Sequence, residues 1–183
     1  NTLNAENPGI SGFGDLYQNI NQMNLFISRT LHTDVLTESA RNYYLGQVYG
    51  LRAYYMYQLY RSWGDVVFTE EPSLGFEVGK LAKAATPAAE IFEQVKKDIE
   101  SSLSYFGSDY TIKEKKSLWS KAATLMLKAD VYLWSAHRDG GEGDARTAKN
   151  ALVDIQNNIS RSNLDLMDTY QGVFAYLYYH KQT

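Results

Sequence analysis

The chain contains no cysteine, which closes off both a disulfide framework and thiolate chemistry. Its three histidines, His32, His137 and His180, are scattered, and none has the H-E-x-x-H spacing that turns two imidazoles toward one metal ion. Neither a G-x-S-x-G elbow nor a phosphate-cradling glycine loop occurs. No apolar run approaches the roughly 18 residues that a membrane-spanning helix needs. Asn1-Thr2-Leu3-Asn4 lacks the features of a signal peptide, so any export or lipid-anchoring segment is expected upstream of residue 1. The net charge of −3 comes without a basic cluster, which argues against nucleic acid as a partner. Lys113-Glu114-Lys115-Lys116 is short and broken by an acid, the pattern of solvated surface.

What is abundant is tyrosine, 15 residues that supply most of a 14% aromatic share. With 44% apolar and 21% charged residues, the 183-residue chain has the composition of one well-buried globular domain or a piece of a larger one. Its organising stretch runs from residue 46 to 68. Tyr44, Val48, Leu51, Tyr55 and Leu59 recur at steps of three and four and predict one buried helical face. A second row, Gly46, Gly50 and Ala53, carries almost no side chain. Each glycine inside a helix costs about 1 kcal/mol against alanine, so close approach of a neighbouring helix across this row is expected. Trp63-Gly64 closes the helix, because glycine takes a left-handed C-terminal conformation cheaply.

Five helices follow from the patterning. The first spans Asp15 to about Leu31 with the stripe Leu16, Ile20, Met23, Ile27 and Leu31; Asn21 and Asn24 beside it suit buried side-chain hydrogen bonds. The second covers about residues 39–62, capped by Thr37 or Ser39. A long connection, 64–85, opens with the strand-like Val66-Val67-Phe68. Thr86-Pro87 reads as cap and first residue of a third helix. That helix has the stripe Ile91, Val95, Ile99 and Leu103, flanked by Phe92 and Phe106, and ends near Gly107. After a polar linker, the fourth helix spans about Ser117 to His137 with the stripe Trp119, Ala122, Met126, Ala129 and Leu133. Residues 139–143 form a turn, and a fifth helix from Asp144 to about Asn158 turns Ala148, Leu152 and Ile155 inward. Leu164, Leu166, Tyr170, Val173 and Phe174 suggest short packed turns before an aromatic tail, Tyr176 to His180.

The fold class is therefore all-α. Two helix pairs, about 39–106 and 117–158, form stacked tetratricopeptide-like hairpins with long connecting loops, since such pairs cannot bury their faces alone. No catalytic constellation emerges. Glu70-Glu71 are neighbours in an exposed-looking loop, where solvated charge outweighs a glycosidase pair. The segment from Asp139 to Asp144 offers oxygen ligands of the kind calcium prefers, but lacks the alternating acids of an EF-hand loop. A plain acidic turn is favoured, with Asp144 gaining from the helix dipole. Seven tyrosines between Tyr43 and Tyr60 surround the second helix, so most must pack rather than stack on sugars. Trp63, Trp119 and Trp134 are likewise read as packing residues.

The run Gly46-Gln47, Leu51-Arg52-Ala53-Tyr54-Tyr55, Leu59, Trp63-Gly64-Asp65-Val66 resembles the signature helix of the SusD/RagB family. These are nutrient-binding surface lipoproteins that partner outer-membrane transporters in Bacteroidetes-type bacteria. The family usually has glutamate at the position of Gln47 and proline at that of Val67. Tyr17-x-x-Ile20-x-x-x-Asn24, the stretch from Trp119 to Leu133, and Tyr170-x-x-Val173-Phe174 are similar to further family segments, in the family's order. Lys116-Ser117 replaces the usual Gly-Arg before the fourth helix, which puts only that turn in question.

The resemblance implies a single SusD-like helical domain over 1–183, the repeat-bearing N-terminal portion of a longer, non-enzymatic protein. It implies surface binding of starch- or polysaccharide-derived oligosaccharide, delivered to a SusC-like TonB-dependent transporter, with no cofactor and no catalytic or metal residue. Membrane contact would come only through a lipid anchor outside this chain. Ligand contacts in such proteins come from loops before the first of these helices and from the later half, so the resemblance transfers no ligand-binding residue. Two alternatives remain: a peptide-binding RagB-like member, and a tetratricopeptide-type interaction scaffold without a small-molecule ligand.

Overall fold

A computed structural model describes residues 13–75, 83–113, 117–162, 164, 168–169 and 171. The helices are α1 (Gly14–Leu31), α2 (Glu38–Trp63), α3 (Ala88–Phe106), α4 (Lys121–Ser135), α5 (Gly141–Asn157) and the short α6 (Ile159–Ser162). A π-helical turn, Ala136–Gly140, carries α4 into α5. Among the described residues there is no strand. The expected strand at Val66-Val67-Phe68 reduces to one antiparallel bridge between Val66 and Thr86. The tetratricopeptide-like pairing holds: α2 packs most extensively on α3, and α4 on α5. The aromatic tail from Tyr176 to His180, along with Tyr170, Val173 and Phe174, lies outside the described residues.

The helix ends follow local chemistry. The Thr37 hydroxyl accepts the Ala40 N–H and starts α2. Gly64, at φ 76°, ends it, its N–H bonding to the Tyr60 carbonyl. Two expected starts shift. Thr86 does not cap α3, because its backbone pairs with Val66; the cap comes from Asp65, whose carboxylate accepts the Ala88 N–H at 2.8 Å. The fourth helix, expected from about Ser117, starts at Lys121, with Ser120 capping it by accepting the Ala123 N–H. The glycine-rich turn 139–143 is absorbed into the π turn and the first turn of α5. Asp144 folds back over Gly140, where an added Cβ would lie 2.0 Å from its carboxylate oxygen.

The smooth row of α2 does what its sequence implied. A Cβ on Gly46 would meet the Phe106 ring of α3 at 2.9 Å, and one on Gly50 would lie 2.2 Å from Trp119 Nε1. The Ser102 hydroxyl donates to the Gly46 carbonyl at 2.6 Å and lies 2.8 Å from the Thr124 hydroxyl, which accepts from Trp119 Nε1. The larger stripe is corrected. Leu45, Arg52, Ala53, Met56, Tyr57 and Leu59 are the buried residues, while Tyr44 is exposed and Val48, Leu51 and Tyr55 are half-buried. With apolar residues on every side of α2, periodicity alone could not select the face.

In α4 the stripe is corrected too. Met126 and Leu133 are 55% and 52% exposed, and Leu125, Leu127, Ala129 and Val131 face inward. Leu152 of α5 is exposed, while Ala148 is buried and Ile155 packs against the same cluster as expected, with Ala151 completing the contact row. On α1, Ile20 and Ile27 are buried as expected, whereas Leu31 is exposed.

Candidate functional site

Tyr17, Asn21 and Asn24 follow one another at steps of four and three, which places them on one face of α1. That face binds the connection between α2 and α3. Tyr17 donates its phenol to the Val67 carbonyl at 2.9 Å. The Asn21 amide donates to the Ser73 carbonyl and accepts the Ser73 N–H at 2.7 Å, pairing with that residue as a neighbouring strand would. Asn24 donates to the Thr69 carbonyl at 2.6 Å. Irregular backbone must find hydrogen bonds somewhere, and here a helix supplies them. Burial raises the Tyr17 pKa, only partly offset by its bond to Val67, so the phenol remains a donor.

Arg52 ties this layer to α3. The guanidinium donates through Nε and Nη2 to the two oxygens of Asp98, both at 2.7 Å, and through Nη1 to Asn24 Oδ1 at 2.8 Å. Arg52 and Asp98 are 2% and 1% exposed. Gln94 donates to Asp98 as well and reaches Glu70, which Lys97 pairs at 3.2 Å. Burial pushes the Asp98 carboxyl up, and the bonds from Arg52 and Gln94 oppose it. Burial likewise works against the Arg52 charge, but Asp98 outweighs it and holds the guanidinium above its usual value. Every hydrogen bond reaching the Asp98 oxygens comes from a donor, so the ionised pair is the form that fits. The Arg52 plane also lies 5.2 Å from the Tyr49 ring centroid and 5.9 Å from that of Phe68.

Between α1 and the connection this stitching leaves a cavity of about 280 Å³. Ile20, Val67 and Phe68 form its apolar wall, and Gln18, Ser73 and Lys83 stand among its polar lining. The volume lies just below the range of ligand-sized pockets, which hold mostly apolar walls and a few placed polar groups. A more polar cleft of about 410 Å³ lies between the start of α2 and the end of α3, lined by Asn42, Tyr43, Tyr105 and Asp109. Its aromatic faces are partly engaged: Tyr105 stacks on Tyr49 and Lys113 sits 3.6 Å over Tyr43.

The residues weighed in the sequence fall into place. Asn24 is buried and doubly bonded, and Asn21 is half-buried in the same stitching. Glu70 and Glu71 are both exposed, with Glu70 additionally paired to Lys97. His32 bonds the Ser28 carbonyl, and among the described residues no cluster of His, Cys, Asp or Glu is gathered for a metal ion. Tyr57 is fully buried, Tyr55 and Tyr60 pack against the core, and Tyr44 and Tyr54 are exposed. Trp63 and Trp119 pack against the core, whereas Trp134 lies at the surface beneath Arg61 and Arg138. Sequence reasoning missed the pairing of Arg52 with Asp98, because charges 46 positions apart look solvated until the fold brings them together.

Comparison with known proteins agrees with this architecture. The SusD-like family model described as "Starch-binding associating with outer membrane" matches residues 4–133. SusD-like protein P38 of Formosa agariphila is 34% identical over 113 residues, which cover 60% of this chain and 20% of that protein. The solved structure of B. fragilis NanU is 47% identical with a TM-score of 0.77, over 87% of this chain and 31% of its own. A SusD superfamily structure from Bacteroides vulgatus is 45% identical with a TM-score of 0.76, with the same two coverages. The chain thus spans about a third of the solved relatives and a fifth of the Formosa protein. With the family model covering more than half of its length, this chain belongs to the SusD-like family.

Proposed function

We propose that residues 1–183 are the repeat-bearing scaffold domain of a longer outer-membrane surface lipoprotein that captures oligosaccharide and hands it to a SusC-like TonB-dependent transporter. The protein binds and does not catalyse, and it needs no cofactor. The family match over residues 4–133, with its starch-binding, outer-membrane description, is the observation that carries this reading. The geometry supports the scaffold role. Arg52, Gly46 and Gly50 are buried in an ion pair and in close helix packing, and Gly64 and Asp65 serve as helix caps.

The test is calorimetry on the full-length protein with starch oligosaccharides, a panel of other glycans and a peptide pool. Micromolar binding of at least one glycan is expected. Peptide binding with no glycan response would overturn the substrate class, and failure to co-purify with a transporter would overturn the delivery step.

A further inference from the structure

The first part of the connection is held by side chains of α1 rather than by neighbouring backbone. Among the described residues, the backbone of residues 67–73 bonds outside itself only to α1, through Tyr17 at Val67, Asn24 at Thr69 and Asn21 at both groups of Ser73. The backbone tie to the start of α3 ends one residue earlier, at the Val66–Thr86 bridge. Glu70 does reach Lys97 and Gln94 of α3, but its side chain is half exposed and such pairs add little. Phe68 packs against the core. The helix α1 itself packs extensively on α2 alone, with Ile20 and Ile27 as its buried apolar side chains.

The polar seam beneath this layer runs through Asn24. Its amide holds the Thr69 carbonyl, and its Oδ1 accepts from Arg52 Nη1. Arg52 engages Asp98 through Nε and Nη2. Parting at Asn24 therefore leaves the ion pair of α2 and α3 whole and uncovers polar groups that water can serve. Moving α1 without the connection, or the connection without α1, breaks all the bonds between them. The least costly opening takes both together.

We propose that α1 and residues 67–73 form one cooperative unit, which opens from α2 and α3 below global unfolding and is latched by the Asn24–Arg52 hydrogen bond. The unit is defined by its own bonds and is independent of what the protein binds. A contact made with residues 67–73 is felt in α1, and through Asn24 at the buried ion pair.

The experiment is native-state hydrogen exchange, followed by NMR on the 183-residue chain in low concentrations of guanidinium chloride. The amides of Asn24 to Thr30 and the Ser73 amide should share one opening free energy and one denaturant slope, both smaller than those of Leu59 in α2 and Ile99 in α3. Asn24→Ala should speed exchange at Ile27 and Ser73 by the same factor, about tenfold, the scale of one net hydrogen bond. Tyr17→Phe deletes only the phenol bonded to Val67 and keeps the reading available if Asn24→Ala fails to fold. It should speed both amides by a smaller common factor and leave Ile99 unchanged. Acceleration at Ser73 without Ile27, or the reverse, would overturn the unit. So would an unprotected Ser73 amide, or an α1 that exchanges with the free energy and slope of Ile99.

Discussion

The two helix pairs are built on different physics. In the first, α2 meets α3 across Gly46 and is locked by a fully buried ion pair whose three donated hydrogen bonds reach α1 and α3. In the second, α4 meets α5 through Ala129, Ala148 and Ala151, and leaves Met126, Leu133 and Leu152 exposed. The first pair is specified by groups that admit one partner each. The second is specified by small residues that allow approach without naming a partner. In the first pair a wrong neighbour leaves a charge unpaired.

The largest test of that contrast is Asp98→Ala. It leaves the Arg52 guanidinium buried without its carboxylate and should cost about 3–5 kcal/mol in urea denaturation. The double change Arg52→Met with Asp98→Leu should recover most of that loss, because an apolar pair avoids the desolvation that the ions suffer. A single-variant cost below about 1 kcal/mol would remove the ion pair from the list of what holds this region. Next is Gly50→Leu. Even its Cβ would overlap the Trp119 indole, so overpacking should cost about 1–3 kcal/mol or more. Gly143, with open space around it, should accept alanine without a comparable penalty. Asp65→Ala removes the cap on α3 and should cost about 1 kcal/mol, measurable as a lower Tm.

The second region offers a pH test. Burial, and then the hydrogen bond to Asp154 at 2.6 Å, push the Tyr110 phenol up to about 12 from 10.0. A raised folded-state pKa means the stabilisation is whole below about pH 10. It falls between about 10 and 12 as the unfolded chain ionises first, and it is gone above about 12. Stability measured across that window should drop in the native sequence and drop less in Tyr110→Phe. The smallest effects belong to Met126→Ser and Leu133→Ser, each expected within about 0.5 kcal/mol because neither side chain is buried. A cost above about 1.5 kcal/mol would show that this face packs against something, and would narrow the contrast between the pairs.

What the residues disclosed in advance follows the same division. The glycine row was legible because a mid-helix glycine carries a penalty that only close approach explains, and Phe106 and Trp119 fill those hollows. The stripe of α3 was legible because Ile91, Val95 and Ile99 alternate cleanly with charge. The buried face of α2 was not, since aromatic and apolar side chains surround the helix. Nor was the Arg52–Asp98 pair, whose meaning depends on 46 intervening residues folding back. Met126 and Leu133 misled because helical spacing ranks residues by position on a wheel, while the alanines set which side can come close. The α1 stitching was half legible. Asn21 and Asn24 invited buried hydrogen bonds, but nothing in the sequence identified the loop carbonyls they would find.

The three tryptophans stand at three separate joints. Trp63 packs edge-on to Phe13 where α1 begins, Trp119 fills the Gly50 hollow between α2 and α4, and Trp134 lies near Arg61 where α4 passes α2 at the surface. The protein therefore carries its own optical probes of assembly. In variants that keep one indole at a time, emission from Trp119 would report the docking of the second hairpin on the first. Trp63 would report the seating of α1 on the same timescale or a different one. Whether the scaffold closes in one step or two is written in which of those signals moves first.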